Sequence, residues 1–294
     1  MGKSIGMTMG MTMTTPDWIA VDWTARDLTV WGMDAKGSVL AEAKAEAPTD
    51  TAGFDAALGA VLQGWATPTN TPIVAAGRFA HAPRAVPCLA MPEHFSATSP
   101  LYFPALSQEE PRHVTLGMEA AIAGFVALTP KFDGVLCLPG ARMTVWAHIS
   151  AEEVVSFRSV ATGVMMTGLA QQSGYEAFLS GEALDDTVFT DAVSDAMSRP
   201  EQFSYRIASL EAEAYLGTLL PARARATALG LLIGAELAAT RPYWLGQPIA
   251  LIGDADLCAT YGMALNAQYA MHTVYDRTDM VQAGLYAAFR TAFE

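Results

Sequence analysis

The chain has 294 residues, 52% hydrophobic and 16% charged, enough for one large domain or two ordinary ones with a sizeable core. That composition excludes wholesale disorder. A formal net charge of -13 excludes the basic stripe of a nucleic-acid footprint, so any phosphate ligand must be held by local amides, a metal or single arginines.

In chain order, residues 1–16 (MGKSIGMTMGMTMTTP) carry a lysine but no apolar run of signal-peptide kind, and are expected to form a disordered tail or an over-extended gene start. Strands are expected at WIAVD (18–22), DLTVW (27–31), VLAEA (39–43) and IVAAG (73–77), with a hairpin turn at Asp34-Ala35-Lys36-Gly37. Between the last two, Phe54, Leu58, Val61 and Leu62 recur at helical spacing over 52–65.

The same β-β-β-α order restarts with GVLCL (134–138), MTVWAHI (143–149), EVVSFRSV (153–160) and a helix over 162–172. Thr29-Val30-Trp31 and Thr144-Val145-Trp146 follow corresponding turns, so the chain reads as two copies of one unit. Later, ATALGLLIGAELAATR (226–241) is a helix ended by Pro242, whose Gly230 and Gly234 share a face that admits either tight packing of helix on strand or close approach of a ligand. Residues 247–265 read as strand, turn and helix, with Asp254 or Asp256 as cap, and a closing amphipathic helix is expected near 279–293. The fold expected is α/β, with duplicated actin-like (ribonuclease H-like) lobes and a cleft between them. After the tail, the first lobe spans 17–130 and the second 131–294, the last helix returning to the first lobe.

Cys88, Cys137 and Cys258 are odd in number and far apart, which indicates buried thiols in a reducing compartment rather than disulfides or zinc. The longest apolar stretch, 226–239, is too short and too glycine-broken to span a membrane. A cytoplasmic protein without membrane or nucleic-acid partners is expected, with a homodimer left open.

Ligands of open α/β sheets bind beyond the carboxyl ends of strands, which here carry Asp22, Gly77, Gly140 and Gly253. Glycine there admits close approach of a phosphate, and a buried aspartate can hold magnesium. Several motifs occur in one order: DW-x₄-L-x-x-W, AG at 76–77, AP and VPC at 82–88, LPG at 138–140, FRSVATG at 157–163, GLLIGAE at 230–236 and G-x₃-L-x₃-Y at 253–261. Over about residues 17–290 the chain resembles the 2-dehydro-3-deoxygalactonokinase family, sugar-acid kinases of the actin/hexokinase/Hsp70 superfamily.

The resemblance implies ATP and Mg2+ as cofactors and 2-dehydro-3-deoxy-D-galactonate as acceptor, phosphorylated at its terminal hydroxyl. It implies Asp22 as catalytic residue and metal holder. Thr24, Arg26, Gly140, Arg142, Gly253 and Asp254 would face the nucleotide, and Gly77, Glu119, Thr162 and Gly163 the sugar acid.

The chain departs from the family at polar positions. The Asp-Trp-Gly-(Ser/Thr)-(Ser/Thr) tip is Asp22-Trp23-Thr24-Ala25-Arg26, and Arg-Gly-Glu-Glu-Thr-Gln is Leu116-Gly117-Met118-Glu119-Ala120-Ala121. Leu-Pro-Gly-Thr-His-Ser-Lys-Trp keeps only Leu138-Pro139-Gly140, and the Glu after Thr162-Gly163 is Val164. Arg26 and Arg142, at corresponding tips, are the expected replacement cations for one phosphate chain. Two alternatives follow: a catalytically impaired relative that binds a sugar acid or nucleotide as sensor or partner, and a kinase of another small acceptor.

Overall fold

The computed structural model describes residues 15–294 except 66, 78–81, 97, 173, 180 and 182. All but the last two residues of the expected tail lie outside the described residues. The chain divides into two compact units: unit 1 runs to Phe132 and adds Ile149–Ser156 and Arg277–Glu294, while unit 2 comprises Asp133–His148 and Phe157–Asp276.

Unit 1 opens with β1 (Trp18–Trp23), β2 (Asp27–Met33) and β3 (Val39–Glu46), an antiparallel meander rich in the aromatic and β-branched residues that suit strands. The β2–β3 turn closes because the Asp34 carboxylate accepts from the amides of Lys36 (2.9 Å) and Ser38 (2.7 Å), and Gly37 supplies a φ of +83°. Asp50 caps α1 (Thr51–Gly64) by accepting from the Gly53 amide at 2.8 Å. Phe54 and Leu58 of α1 bury against Ile19, Val21, Trp23 and Val30, each burial worth roughly 1.5–3 kcal/mol. The chain then enters β4 (Ile73–Gly77), parallel to β1.

Short strands follow: β5 (Arg84–Ala85), β6 (Cys88–Leu89), β7 (Leu101–Tyr102), β8 (Leu106–Gln108) and β9 (His113–Val114). The main sheet of unit 1 has the order β3-β2-β1-β4-β7, and β5-β8-β9 form a small separate sheet. Helix α2 (Glu119–Leu128) is buried through Val126.

Unit 2 repeats the plan with β10 (Gly134–Pro139), β11 (Thr144–Ser150) and β12 (Glu153–Val160). The β11–β12 turn has Ala151 and Glu152 both at positive φ, as a type I′ hairpin requires. Its tip belongs to unit 1, where Glu153 and Val154 pair with β6. The helices α3 (Thr162–Ala170), α4 (Glu176–Leu179), α5 (Asp186–Ser198), α6 (Phe203–Tyr215), α7 (Pro221–Ala239) and α8 (Arg241–Trp244) come next. They precede β13 (Ile249–Gly253), α9 (Ala255–Ala267), β14 (His272–Asp276) and α10 (Arg277–Phe293).

β13 runs parallel to β10, and β14 to β13. The strand order β12-β11-β10-β13-β14 therefore matches β3-β2-β1-β4-β7, which is the expected duplication. The α7 glycines pack tightly, but on a helix rather than a strand. A Cβ on Gly230 would lie 2.6 Å from the Phe189 carbonyl, and one on Gly234 2.5 Å from that of Val193, both on α5.

α10 belongs to unit 1 and crosses α2 at two glycines. A Cβ on Gly124 would stand 1.9 Å from the Met280 carbonyl oxygen, and one on Gly284 1.9 Å from that of Ala120. Phe289 of α10 stacks on Trp18 of β1, ring centroids 4.6 Å apart. Among the described residues, no helix is long and apolar enough to cross a membrane.

Candidate active site

The carboxyl end of β1 gathers the polar groups buried in unit 1. Asp22 is 2% exposed, its Cα in register with Thr29 on β2 and Ala76 on β4. Beside it Gly77 has φ +149°, and a Cβ there would meet the Trp23 carbonyl oxygen at 2.7 Å, so the strand ends can adjoin only with glycine. Gly117, at φ +89°, abuts Gly77 from the loop before α2.

Glu119 opens α2 and is fully buried. Its carboxylate accepts from the Gly117 amide at 3.0 and 3.3 Å and from the Thr115 hydroxyl. Burial pushes its pKa up to about 7, those hydrogen bonds restrain the rise, and the charge of Asp22 adds to it. Arg84 also senses this carboxylate. It donates to the carbonyls of Leu89 (2.7 Å) and Ala90 (3.0 Å), its Nε is buried without a partner among the described residues, and burial lowers its pKa.

The residue that sequence reasoning missed is Arg277, first in α10. Its Nη1 donates to Asp22 Oδ2 at 2.6 Å, Nη2 to Oδ1 at 3.2 Å and, more weakly, to the Gly117 carbonyl at 3.5 Å. No sequence signal pointed to it: the closing helix is expected only from about residue 279, and the structure begins it at Arg277, far along the chain from its partner.

At the hairpin tip, the Thr24 hydroxyl donates to Asp27 Oδ1 at 2.6 Å and accepts from the amides of Arg26 and Asp27, both at 3.0 Å. The Thr24 amide donates to the Asp27 carbonyl at 2.9 Å. Three amides of this turn are thus engaged internally, and Arg26 is exposed.

In unit 2 the Gly140 amide is likewise taken up, donating to the Met143 carbonyl at 3.1 Å, with Arg142 exposed. Thr162 is buried, and its hydroxyl donates to Glu236 rather than facing solvent. Gly163 lets α3 start against the turn, since a Cβ would lie 2.3 Å from the Ala141 carbonyl. Gly253 fits between Pro139 and Cys258, and Asp254 occupies the N-cap position of α9 without a side-chain cap bond.

The other missed residue is Glu236 on α7. It accepts from Trp146 Nε1 at 2.8 Å, from the Tyr261 hydroxyl at 2.9 Å and from Thr162, while Tyr261 shares a 2.5 Å bond with Thr144. This cluster joins β11, α3, α7 and α9. A lone charge in the apolar GLLIGAE stretch was the signal for it.

The duplicated lobes, with a buried aspartate closing the first strand, have the actin-like fold, shared at 9% identity and a TM-score of 0.52 with the ADPNP-bound activator of the 2-hydroxyisocaproyl-CoA dehydratase from Clostridium difficile. The family model for 2-keto-3-deoxy-galactonokinase matches residues 22–288, and the chain belongs to that family. It is 29% identical over 308 residues, covering 95% of this chain and 98% of the relative, to a probable 2-dehydro-3-deoxygalactonokinase of Rhizobium meliloti. It is 26% identical to the 2-dehydro-3-deoxygalactonokinase of Escherichia coli, covering 92% of this chain and 97% of that one. A crystal structure from Sinorhizobium meliloti, of a candidate enzyme of the same activity, superposes with a TM-score of 0.84 at 25% identity, covering 93% of this chain and 98% of that chain.

The kinase family implies ATP, and ATP ordinarily travels with a divalent cation. The residues present do not fit a cation held by the protein: each Asp22 oxygen accepts from Arg277. Among the described residues, no group of three or more His, Cys, Asp or Glu side chains could hold a metal ion.

Proposed function

We propose that the chain is an ATP-dependent kinase that phosphorylates the terminal hydroxyl of 2-dehydro-3-deoxy-D-galactonate or a similar sugar acid. The observation that carries this is two buried carboxylates, Asp22 at the end of β1 and Glu119 at the start of α2, the charge of the first acting on the second, where Gly77 and Gly117 let the main chain close in around them. A carboxyl with pKa about 7 suits a general base at neutral pH. Glu119 would take the hydroxyl proton as that oxygen bonds to the γ-phosphorus and the bond from phosphorus to the ADP oxygen breaks. Asp22 would orient the cationic group that meets the transferring phosphoryl.

Arg26 and Arg142 are proposed nucleotide contacts at their own turns, as are Gly253 and Asp254 at the start of α9. Magnesium would arrive on the nucleotide phosphates. The names of the relatives support the acceptor, and three free thiols support a reducing, cytoplasmic setting.

A second reading, a relative that binds without turnover, is favoured by the engaged amides at both turns. A coupled ADP-release assay with ATP, magnesium and the sugar acid decides between them. The kinase reading expects turnover that Asp22→Ala lowers by about 10²-fold or more. Turnover no greater than that of the variant contradicts it, and an ATP-dependent thermal shift without turnover points to the second reading.

A further inference from the structure

Asp22 and Arg277 lie 255 positions apart in the chain, yet they meet through two nitrogen–oxygen bonds of 2.6 and 3.2 Å. The side chains are 3% and 15% exposed, so solvent screens the pair little. A buried carboxylate needs a partner, and a guanidinium fork satisfies both oxygens at once. Around them, Glu119 senses the charge of Asp22, Arg84 senses that of Glu119, and Asp279 lies in the same first turn of α10 as Arg277. A divalent cation on the same carboxylate would be repelled by Arg277 at short range. The start of α10 adds the positive end of a helix dipole to that repulsion.

We infer that Arg277 occupies the place of a divalent cation on Asp22, so that the positive charge this pole offers a phosphoryl group is the guanidinium. Its meeting with a phosphoryl group rests on the kinase reading; its pairing with Asp22 does not. Asp22 is then a positioning residue, fixing the fork that the α2–α10 crossing brings to the end of β1.

The test is the melting temperature with and without Mn2+, no nucleotide present, for the full chain, R277Q, R277K, D22N and the double variant D22N/R277Q. R277Q strands a buried carboxylate and is expected to melt roughly 6–12 °C lower. Saturating Mn2+ should recover roughly 3 °C or more of that loss in R277Q. The same Mn2+ should leave the wild-type chain and D22N/R277Q unmoved. R277K keeps the charge without the fork and should fall between, which preserves the comparison if R277Q fails to fold. The double variant should melt above R277Q.

A Mn2+ shift in the wild-type chain that D22N abolishes overturns the inference, as does an R277Q that matches the wild type in melting and in Mn2+ response. None of these readouts needs ATP or a sugar acid. Failure of the kinase reading shows instead as no ADP release from the wild-type chain.

Discussion

Glu119 couples chemistry to stability. Its carboxyl titrates near 7 in the fold and near 4.5 when unfolded, so the folded chain holds the extra proton between those values. Stability is therefore full at the acid end of that window and falls as pH rises through it, by about 3 kcal/mol in all. Chemical denaturation from pH 4.5 to 8 should show this slope in the wild-type chain and a flatter one in Glu119→Gln.

Glu236 makes a different claim. Glu236→Ala leaves the Trp146, Tyr261 and Thr162 donors buried and unpaired, and should cost roughly 3–5 kcal/mol, read as a lower Tm. Glu236→Gln should cost less, because hydroxyls can turn to suit an amide. Sequence reading could place Asp22 because a carboxylate closing an apolar strand stands out. It could not find Arg277, whose partner lies 255 positions away, nor see that Thr162 serves Glu236.

Elements tell a similar story about what pattern reveals. The strand runs, the Asp34–Gly37 turn and α1 were legible because period-2 and helical spacing, turn chemistry and a cap all agree there. Helix α5 buries Phe189, Ala192, Val193 and Ala196 at helical spacing, but the stripe is half alanine, so the expected partner of the α7 glycines is a strand and not this helix. The α2–α10 crossing was invisible for a simpler reason: Gly124 and Gly284 look like ordinary helix glycines until the other backbone is present.

That crossing gives a sharp contrast. Gly284→Ala would put a methyl 1.9 Å from a carbonyl oxygen and should cost roughly 3 kcal/mol or more. Gly59→Ala on α1, with nothing within 4 Å, should instead stabilise by about 0.5–1 kcal/mol. Thermal melts of the two variants check both signs, and the first should also weaken the Asp22–Arg277 pair, because it moves α10.

At the scale of the molecule, duplication explains both what is kept and what differs. Each unit repeats the meander, the parallel return strand and the turn after its first strand, and an apolar frame of this kind is readable from order alone. The two turns have diverged in chemistry: one closes on Thr24 and Asp27, the other on Gly140 and Met143. Both tips engage amides internally, while Asp22, Gly77, Gly117 and Glu119 stand together at the end of β1 and the start of α2. We propose that this set transfers phosphate to a sugar acid. It is tested most directly by mass spectrometry of the product formed from ATP and 2-dehydro-3-deoxy-D-galactonate across pH 5.5–8.5, for the wild-type chain and Glu119→Gln. A monophosphorylated acid is expected, its formation rising through about pH 7 in the wild type and falling by roughly 10²-fold or more in the variant. Absence of the phosphorylated acid from the wild type, or an equal yield from Glu119→Gln, would contradict it.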